Sequence, residues 1–125
     1  MDVYLEVKLK PGGERREYPT RLVHLGRGFV IVRFDMRRGG GPPDIPVTVP
    51  PGSISFGYFW ARRPYNLYRW RDPGGRLIAH RFDAVADVAI APESVTYRDL
   101  VLDWWVLPGD VLLEEDLAEF EALAG

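Results

Sequence analysis

Alternation of apolar and polar residues is the dominant pattern along this chain. At the N-terminus Val3, Leu5, Val7 and Leu9 alternate with polar residues, which is the spacing of a half-buried β-strand. Similar apolar runs recur between clusters of Gly and Pro, at residues 20–25, 29–34, 45–49, 54–63, 65–71, 76–82 and 95–107. Seven or eight short strands with turns between them predict a mainly β protein, an antiparallel barrel-like sheet.

The C-terminal end has a different pattern. In the segment "EEDLAEFEALA", residues 114–124, Leu117, Phe120 and Leu123 recur at helical spacing with strong helix formers between them. We therefore expect a C-terminal α-helix after the last strand. A length of 125 residues is typical of a single domain, here residues 1–125. Nothing in the pattern indicates an oligomeric state.

Composition excludes several kinds of protein. The chain has no Cys and two His, which excludes disulfides and thiolate metal sites. No apolar run has the length of a membrane span, and the alternating N-terminus is unlike a signal peptide. We therefore expect a soluble cytoplasmic protein with no membrane partner.

Charge is divided unevenly along the chain. Residues 1–82 carry 15 of the 16 Lys and Arg, whereas residues 83–125 carry 11 of the 18 Asp and Glu. One interpretation is two solvated surfaces that attract each other. The other is that the acidic part binds metal cations while the basic part binds an anion.

Two aspartates interrupt the last apolar run, "RDLVLDWWV" (residues 98–106). Alternation places Asp99 and Asp103 on one face of the strand, where a buried carboxylate needs a partner. That partner is either an arginine from a neighbouring strand or a metal ion. Residues four apart in an ideal strand are separated by about 13 Å. A shared ion therefore requires a bulge near Val101, and otherwise the two aspartates serve two ions.

Three further carboxylates belong to the same hypothesis. Asp83 is predicted at the end of a strand, where sheet proteins often place functional side chains. Asp116 and Glu119 have i, i+3 spacing at the start of the predicted helix, a pattern that is also typical of a helix cap. If the chain turns back after "LPGD", these side chains approach Asp99 and Asp103. Such hard oxygen ligands suit Mg²⁺ or Mn²⁺.

The most basic segment also carries aromatic residues. Within residues 59–71, Arg62 and Arg63 alternate with Trp60, Tyr65 and Tyr68. Aromatic rings stack on bases and arginines bind phosphates, so the segment suits a nucleotide or single-stranded RNA. It is equally typical of a β-sheet with aromatic residues in the core and arginines outside.

Several separated segments together resemble one protein family. "GYFWARRPYNLYRW", "HRFDAVAD", "VTYRDLVLDWWVLPGD" and "EEDLAEFEAL" occur in an order and spacing similar to those of the FomD-like family. These small metal-dependent hydrolases include nucleoside tri- and diphosphate phosphatases and a cytidylyl-phosphonate hydrolase. The resemblance covers nearly the whole chain and is clearest from residue 56 onward. It implies an antiparallel barrel with a C-terminal helix, and one or two Mg²⁺ or Mn²⁺ ions.

The resemblance also implies roles for individual residues. The implied metal ligands are Asp83, Asp99, Asp103, Asp116 and Glu119. Asp103 would bridge the ions, and Arg16 matches an arginine thought to donate a proton in the phosphatase branch. That branch has asparagine at position 83 and a further aspartate at position 101, where this chain has Val101. A second ion would therefore depend on Asp116 and Glu119.

Together these patterns predict a divalent-metal-dependent phosphohydrolase. It would cleave a phosphoanhydride bond of a nucleoside di- or triphosphate, or of a nucleotidyl-phosphonate. Arg16 and Asp103 would be catalytic, and the substrate would be bound by Trp60, Arg62, Arg63, Tyr65 and Tyr68. The alternative is an RNA- or nucleotide-binding module without catalysis, which would need no metal and would bind RNA with a steep salt dependence. Val101 leaves open a third interpretation, a metal-binding member that has lost catalysis.

Overall fold

The computed structural model describes residues 3–37, 47–109 and 111–115. These residues form eight β-strands: β1 (Val3–Leu9), β2 (Arg15–Gly26), β3 (Phe29–Asp35), β4 (Ile54–Trp60), β5 (Tyr65–Arg71), β6 (Leu77–Ile90), β7 (Ser94–Leu107) and β8 (Val111–Glu115). The described residues contain no α-helix, and therefore no helix long and apolar enough to cross a membrane. Most of the predicted C-terminal helix lies outside them. The backbone at positions 114 and 115, expected to begin that helix, belongs to β8.

The strands close into a barrel. Each strand from β1 to β7 pairs antiparallel with the next, and β1 also pairs in parallel with β7, so that seven strands form a closed ring. β8 is an additional strand on β7. The pairing of β1 with β7 ends at Leu9 and Arg98, and β7 continues alongside β6 and then β8. The mainly β, barrel-like prediction is confirmed.

Apolar side chains fill one end of the ring. The buried cluster there comes from the first part of β1, β3 and β7 and the last part of β4, with β5 and β6 contributing one residue each; its members are Tyr4, Val30, Val32, Phe59, Tyr68, Val85, Val95 and Tyr97. Gly57 makes the packing possible, because a Cβ at this position would lie 3.1 Å from the ring of Phe59 and 3.2 Å from Cγ2 of Val32. A second buried cluster consists of Val47, Val49, Ala79 and Trp105.

Several strands differ from the sequence prediction. β2 begins at Arg15, five residues earlier than expected, and β8 was not expected as a strand. The segment 45–49 was expected to form a short strand, but only Val47–Val49 is described and only Val49 makes a bridge. β6 was expected to end near Phe82, whereas it continues to Ile90. The continuation is irregular, with register shifts against β7 and a left-handed Asp87 (φ 55°). Such irregularities hide a strand from a search for strict alternation.

Candidate functional site

A bulge in β7 brings its two aspartates closer together. Asp103 pairs with Asp83 and Asp99 pairs with Val85, so four residues of β7 lie opposite two residues of β6. The separation of Asp99 and Asp103, measured along β6, is therefore about 7 Å, whereas it would be about 13 Å in a regular strand. Val101 has a φ of 56°, which is rare for a β-branched residue, and its N–H donates to Asp99 Oδ1 at 2.9 Å. Of the two alternatives that the spacing left open, the structure shows the bulge near Val101.

Asp83 lies in the middle of β6, and its prediction as a strand end is wrong because β6 continues beyond it. The residue is only 3% exposed. Arg81 donates two hydrogen bonds to the carboxylate, from Nε to Oδ1 at 2.7 Å and from the guanidinium Nη2 to Oδ2 at 3.1 Å. This geometry is the bidentate ion pair that arginine forms best.

Arg81 is held by aromatic rings as well as by Asp83. Its guanidinium carbon lies 4.6 Å from the centre of the Tyr68 ring, 5.7 Å from that of Trp70 and 5.6 Å from that of Trp105. Burial lowers the pKa of Arg81, but the neighbouring Asp83, Tyr68 and Asp103 raise that pKa more strongly. Arg81 is therefore a fixed cation. Sequence reasoning missed it, although Arg81 is two residues from Asp83 and alternation places both on one face.

Asp103 lies in a region with excess negative charge. Burial, together with the charges of Asp83 and Asp99, raises the pKa of Asp103 to about 8, although Arg81 opposes the shift. We call Asp83, Asp99 and Asp103 the carboxylate cluster. Its three carboxylates have one close guanidinium among the described residues, that of Arg81, and this binds Asp83. The electrostatic balance of the cluster favours an additional cation.

The carboxylate cluster fits a hard divalent cation in donor type and charge. Carboxylate oxygens are the ligands that Mg²⁺ and Mn²⁺ prefer. The cluster does not converge on one point, because no three His, Asp or Glu within the described ranges are close enough to hold an ion. Asp116 and Glu119, the other two predicted ligands, lie outside those ranges. A metal site at the carboxylate cluster therefore stays a prediction.

A cavity of about 260 Å³ opens beside Arg81 at the end of the barrel opposite the apolar core. It is lined by Glu6, Lys8, Tyr18, Phe34, Met36, Ser55, Tyr68, Trp70 and Arg81. The volume is slightly below the usual range for a whole drug-sized ligand. Its charged lining residues are the cations Lys8 and Arg81 and the acid Glu6. Arg81 also joins it to the carboxylate cluster.

Glu6 is an unexpected acidic group in the barrel interior. Glu6 is only 7% exposed. Its Oε2 accepts hydrogen bonds from the hydroxyls of Tyr97 (2.5 Å) and Tyr68 (2.9 Å). Burial raises the pKa of Glu6, and the two tyrosine hydrogen bonds lower it only in part. In β1 the apolar alternation suggested that Val3, Leu5, Val7 and Leu9 form the buried face. The interior face instead carries Glu6, while Val3 is 59% exposed.

Two of the predicted catalytic and substrate-binding residues lie at the cavity. Tyr68 lines it. Arg16 pairs in register with Lys8, so both project to the same side of the sheet. The Arg16 side chain is half exposed and its Nε lies 3.0 Å from Glu14 Oε1. Arg16 therefore stands at the rim.

The structure does not bring the other four predicted substrate-binding residues to the cavity. Trp60 lies five residues along β4 from Ser55, which lines the cavity, a distance of about 17 Å. Arg62 and Arg63 occupy the turn after β4, and Tyr65 begins β5 on the outer face. As substrate ligands these residues stay a prediction.

The described strands thus form the fold of a small closed β-barrel. Two solved structures share it. One is the phosphatase SC4828 with the non-hydrolyzable nucleotide GPCP, with a TM-score of 0.73 and 16% identity over 98% of this chain and 70% of that chain. The other is FomD with CDP, with a TM-score of 0.71 and 18% identity over the same shares.

The similarity lies in the fold. Neither a family model nor a curated protein sequence matches the chain. The resemblance to FomD-like proteins, expected from the sequence segments, is confirmed by these structures.

Proposed function

We propose that this protein is a divalent-metal-dependent phosphohydrolase. The proposed reaction is cleavage of a phosphoanhydride bond in a nucleoside di- or triphosphate, or in a nucleotidyl-phosphonate. The observation that carries the proposal is the bulge at Val101, which shortens the separation of Asp99 and Asp103 along β6, where Asp103 pairs with the Asp83 that Arg81 binds. The two solved structures with this fold, each with a nucleotide ligand, support a nucleotide substrate.

The carboxylate cluster would hold the ions in this proposal. Asp116 and Glu119 would complete the set, and Val101 leaves a second ion dependent on them. Mg²⁺ or Mn²⁺ would supply Lewis acidity toward a phosphate oxygen. Arg81 orients Asp83 through two hydrogen bonds.

Cationic side chains would bind the phosphates. Lys8 lines the cavity and Arg16 stands at its rim. Hydrogen bonds to Glu14 and Tyr18 raise the pKa of Arg16, so it keeps its charge at physiological pH. We assign Arg16 to stabilising negative charge that develops on the phosphates, a role suited to a guanidinium.

An activity screen tests this proposal. Phosphate and mononucleotide release would be measured from nucleoside di- and triphosphates and a nucleotidyl-phosphonate, with Mg²⁺, Mn²⁺ or EDTA. Asp103→Asn is compared with Asp87→Asn, an equal change at an exposed aspartate that pairs with Arg98. We expect metal-dependent turnover that falls at least a hundredfold in Asp103→Asn and is unchanged in Asp87→Asn. Absence of turnover from folded protein with either metal would favour the binding module without catalysis.

A further inference from the structure

The outer face of the barrel carries a row of aromatic rings that the proposed function does not use. Burial alternates along the strands, so these rings project away from the interior; they are Phe29, Tyr58, Trp60, Tyr65 and Phe82. We call them the aromatic face. All five are half-buried, so part of each ring remains accessible. They span four neighbouring strands, β3 to β6.

The rings of the aromatic face are in contact with one another. Trp60 lies 6.4 Å from Phe29 and 6.3 Å from Tyr58, nearly parallel to both, at 15° and 16°. Tyr65 continues the row, 5.6 Å from Trp60 and 5.8 Å from Phe82. These contacts hold the rings in place, so a ligand would meet a preformed surface.

Arginines border the aromatic face. The guanidinium of Arg63 lies 4.5 Å from the centre of the Trp60 ring, and that of Arg69 lies 5.8 Å from the Tyr58 ring. Arg62 is exposed in the same turn as Arg63. Among the described residues, none of these three arginines forms an ion pair with a carboxylate. Their charge is therefore available to an anionic partner.

We infer that the aromatic face binds single-stranded nucleic acid. Sheet surfaces of this composition stack unpaired bases on aromatic rings and bind the backbone phosphates through arginine. A second copy of the chain is a poorer fit, since a symmetric interface would bring arginines from both copies together without carboxylates between them. The face lies on the outside of the barrel wall and the cavity lies inside it, with Trp60 about 17 Å along β4 from the cavity residue Ser55. This inference is independent of the proposed hydrolysis.

The test uses a fluorescein-labelled 12-nucleotide single-stranded RNA in fluorescence anisotropy titrations across a NaCl series. Arg62→Glu with Arg63→Glu is compared with Arg15→Glu and Arg98→Glu, an equal charge change at two exposed arginines that lie outside the aromatic face and pair with Glu17 and Asp87. We expect at least a tenfold loss of affinity in the first double variant and less than threefold in the second. Losing two phosphate contacts should reduce the slope of log K against log[salt] by about 1.4.

Trp60→Leu, confirmed as folded by its melting curve, should weaken binding about five- to a hundredfold through loss of base stacking. The Asp103→Asn substitution should leave the affinity for RNA unchanged. In a separate titration, an excess of GDP with Mn²⁺ should also leave that affinity unchanged. The inference is overturned if the RNA does not bind at low salt, if a hairpin duplex binds equally well, or if the control double variant loses as much affinity. The inference is also overturned if GDP displaces the RNA, because the RNA would then occupy the cavity. A dimer abolished by Trp60→Leu would overturn it too, because a second copy would then cover the face.

Discussion

Substitution of Arg81 by methionine removes the guanidinium that binds Asp83 while keeping much of the apolar bulk. The Arg81 side chain is 20% exposed and that of Asp83 is 4% exposed, with the two groups 2.7 Å apart. Loss of one partner of a buried pair leaves an uncompensated charge and costs about 3–5 kcal/mol. That is a large fraction of the free energy of unfolding of a typical domain, about 5–15 kcal/mol.

Urea denaturation measures this cost. We expect Arg81→Met to lower the free energy of unfolding by about 3–5 kcal/mol. Arg81→Met combined with Asp83→Leu removes both charges and should recover most of the loss, since an apolar pair replaces an ion pair. The control is Arg98→Met, which breaks the exposed pair with Asp87 and should change stability very little.

Arg81→Met also tests the excess negative charge of the carboxylate cluster. Without the guanidinium, a divalent cation becomes the counter-charge for Asp83 as well as for Asp103. Mn²⁺ should therefore raise the unfolding free energy of Arg81→Met more than that of the wild-type protein. The reasoning is refuted if Arg81→Met costs less than about 1 kcal/mol, or if the double variant is as unstable as the single one.

Two further substitutions test the barrel interior. The pKa of Glu6 is raised by burial, so the stability that Glu6 contributes is present at low pH and is lost as pH rises through its folded-state pKa. In urea denaturation from pH 4 to 9, Glu6→Gln should gain stability relative to wild type as pH rises. If its free energy of unfolding instead fell further below that of wild type at high pH, the result would contradict this. Gly57→Ala should cost about 1–3 kcal/mol, because its Cβ would press against Phe59 and Val32. An unchanged melting temperature would show that these side chains move aside without cost.

Local alternation was sufficient to predict most strands and the barrel class, because a strand's side-chain period is a local property. The spacing of Asp99 and Asp103 left a bulge as one of two alternatives, since the two residues are too far apart in a regular strand to share an ion. Closure of the ring could not be predicted from alternation, because it depends on the parallel pairing of β1 with β7. These two strands are distant in sequence.

The polar interior was the main source of error at the site. A sequence pattern assigns the apolar face of a strand to the core, and in β1 this points Glu6 outward, whereas it binds Tyr68 and Tyr97 inside. Arg81 was missed for the same reason. Tyr65 and Tyr68 were grouped as substrate ligands, although residues three apart in a strand face opposite sides. Applied strictly, alternation assigns Tyr68 to the cavity and Tyr65 to the aromatic face.

Hydrolysis of nucleoside diphosphates by wild-type protein and Asp103→Asn, each with Mn²⁺ and with EDTA, tests the central claim most directly. The account predicts turnover by the wild-type protein with Mn²⁺ alone, and loss of at least a hundredfold in Asp103→Asn with its melting temperature maintained. Turnover that persists in EDTA, or that survives in Asp103→Asn, would contradict a role for the carboxylate cluster in metal-dependent catalysis.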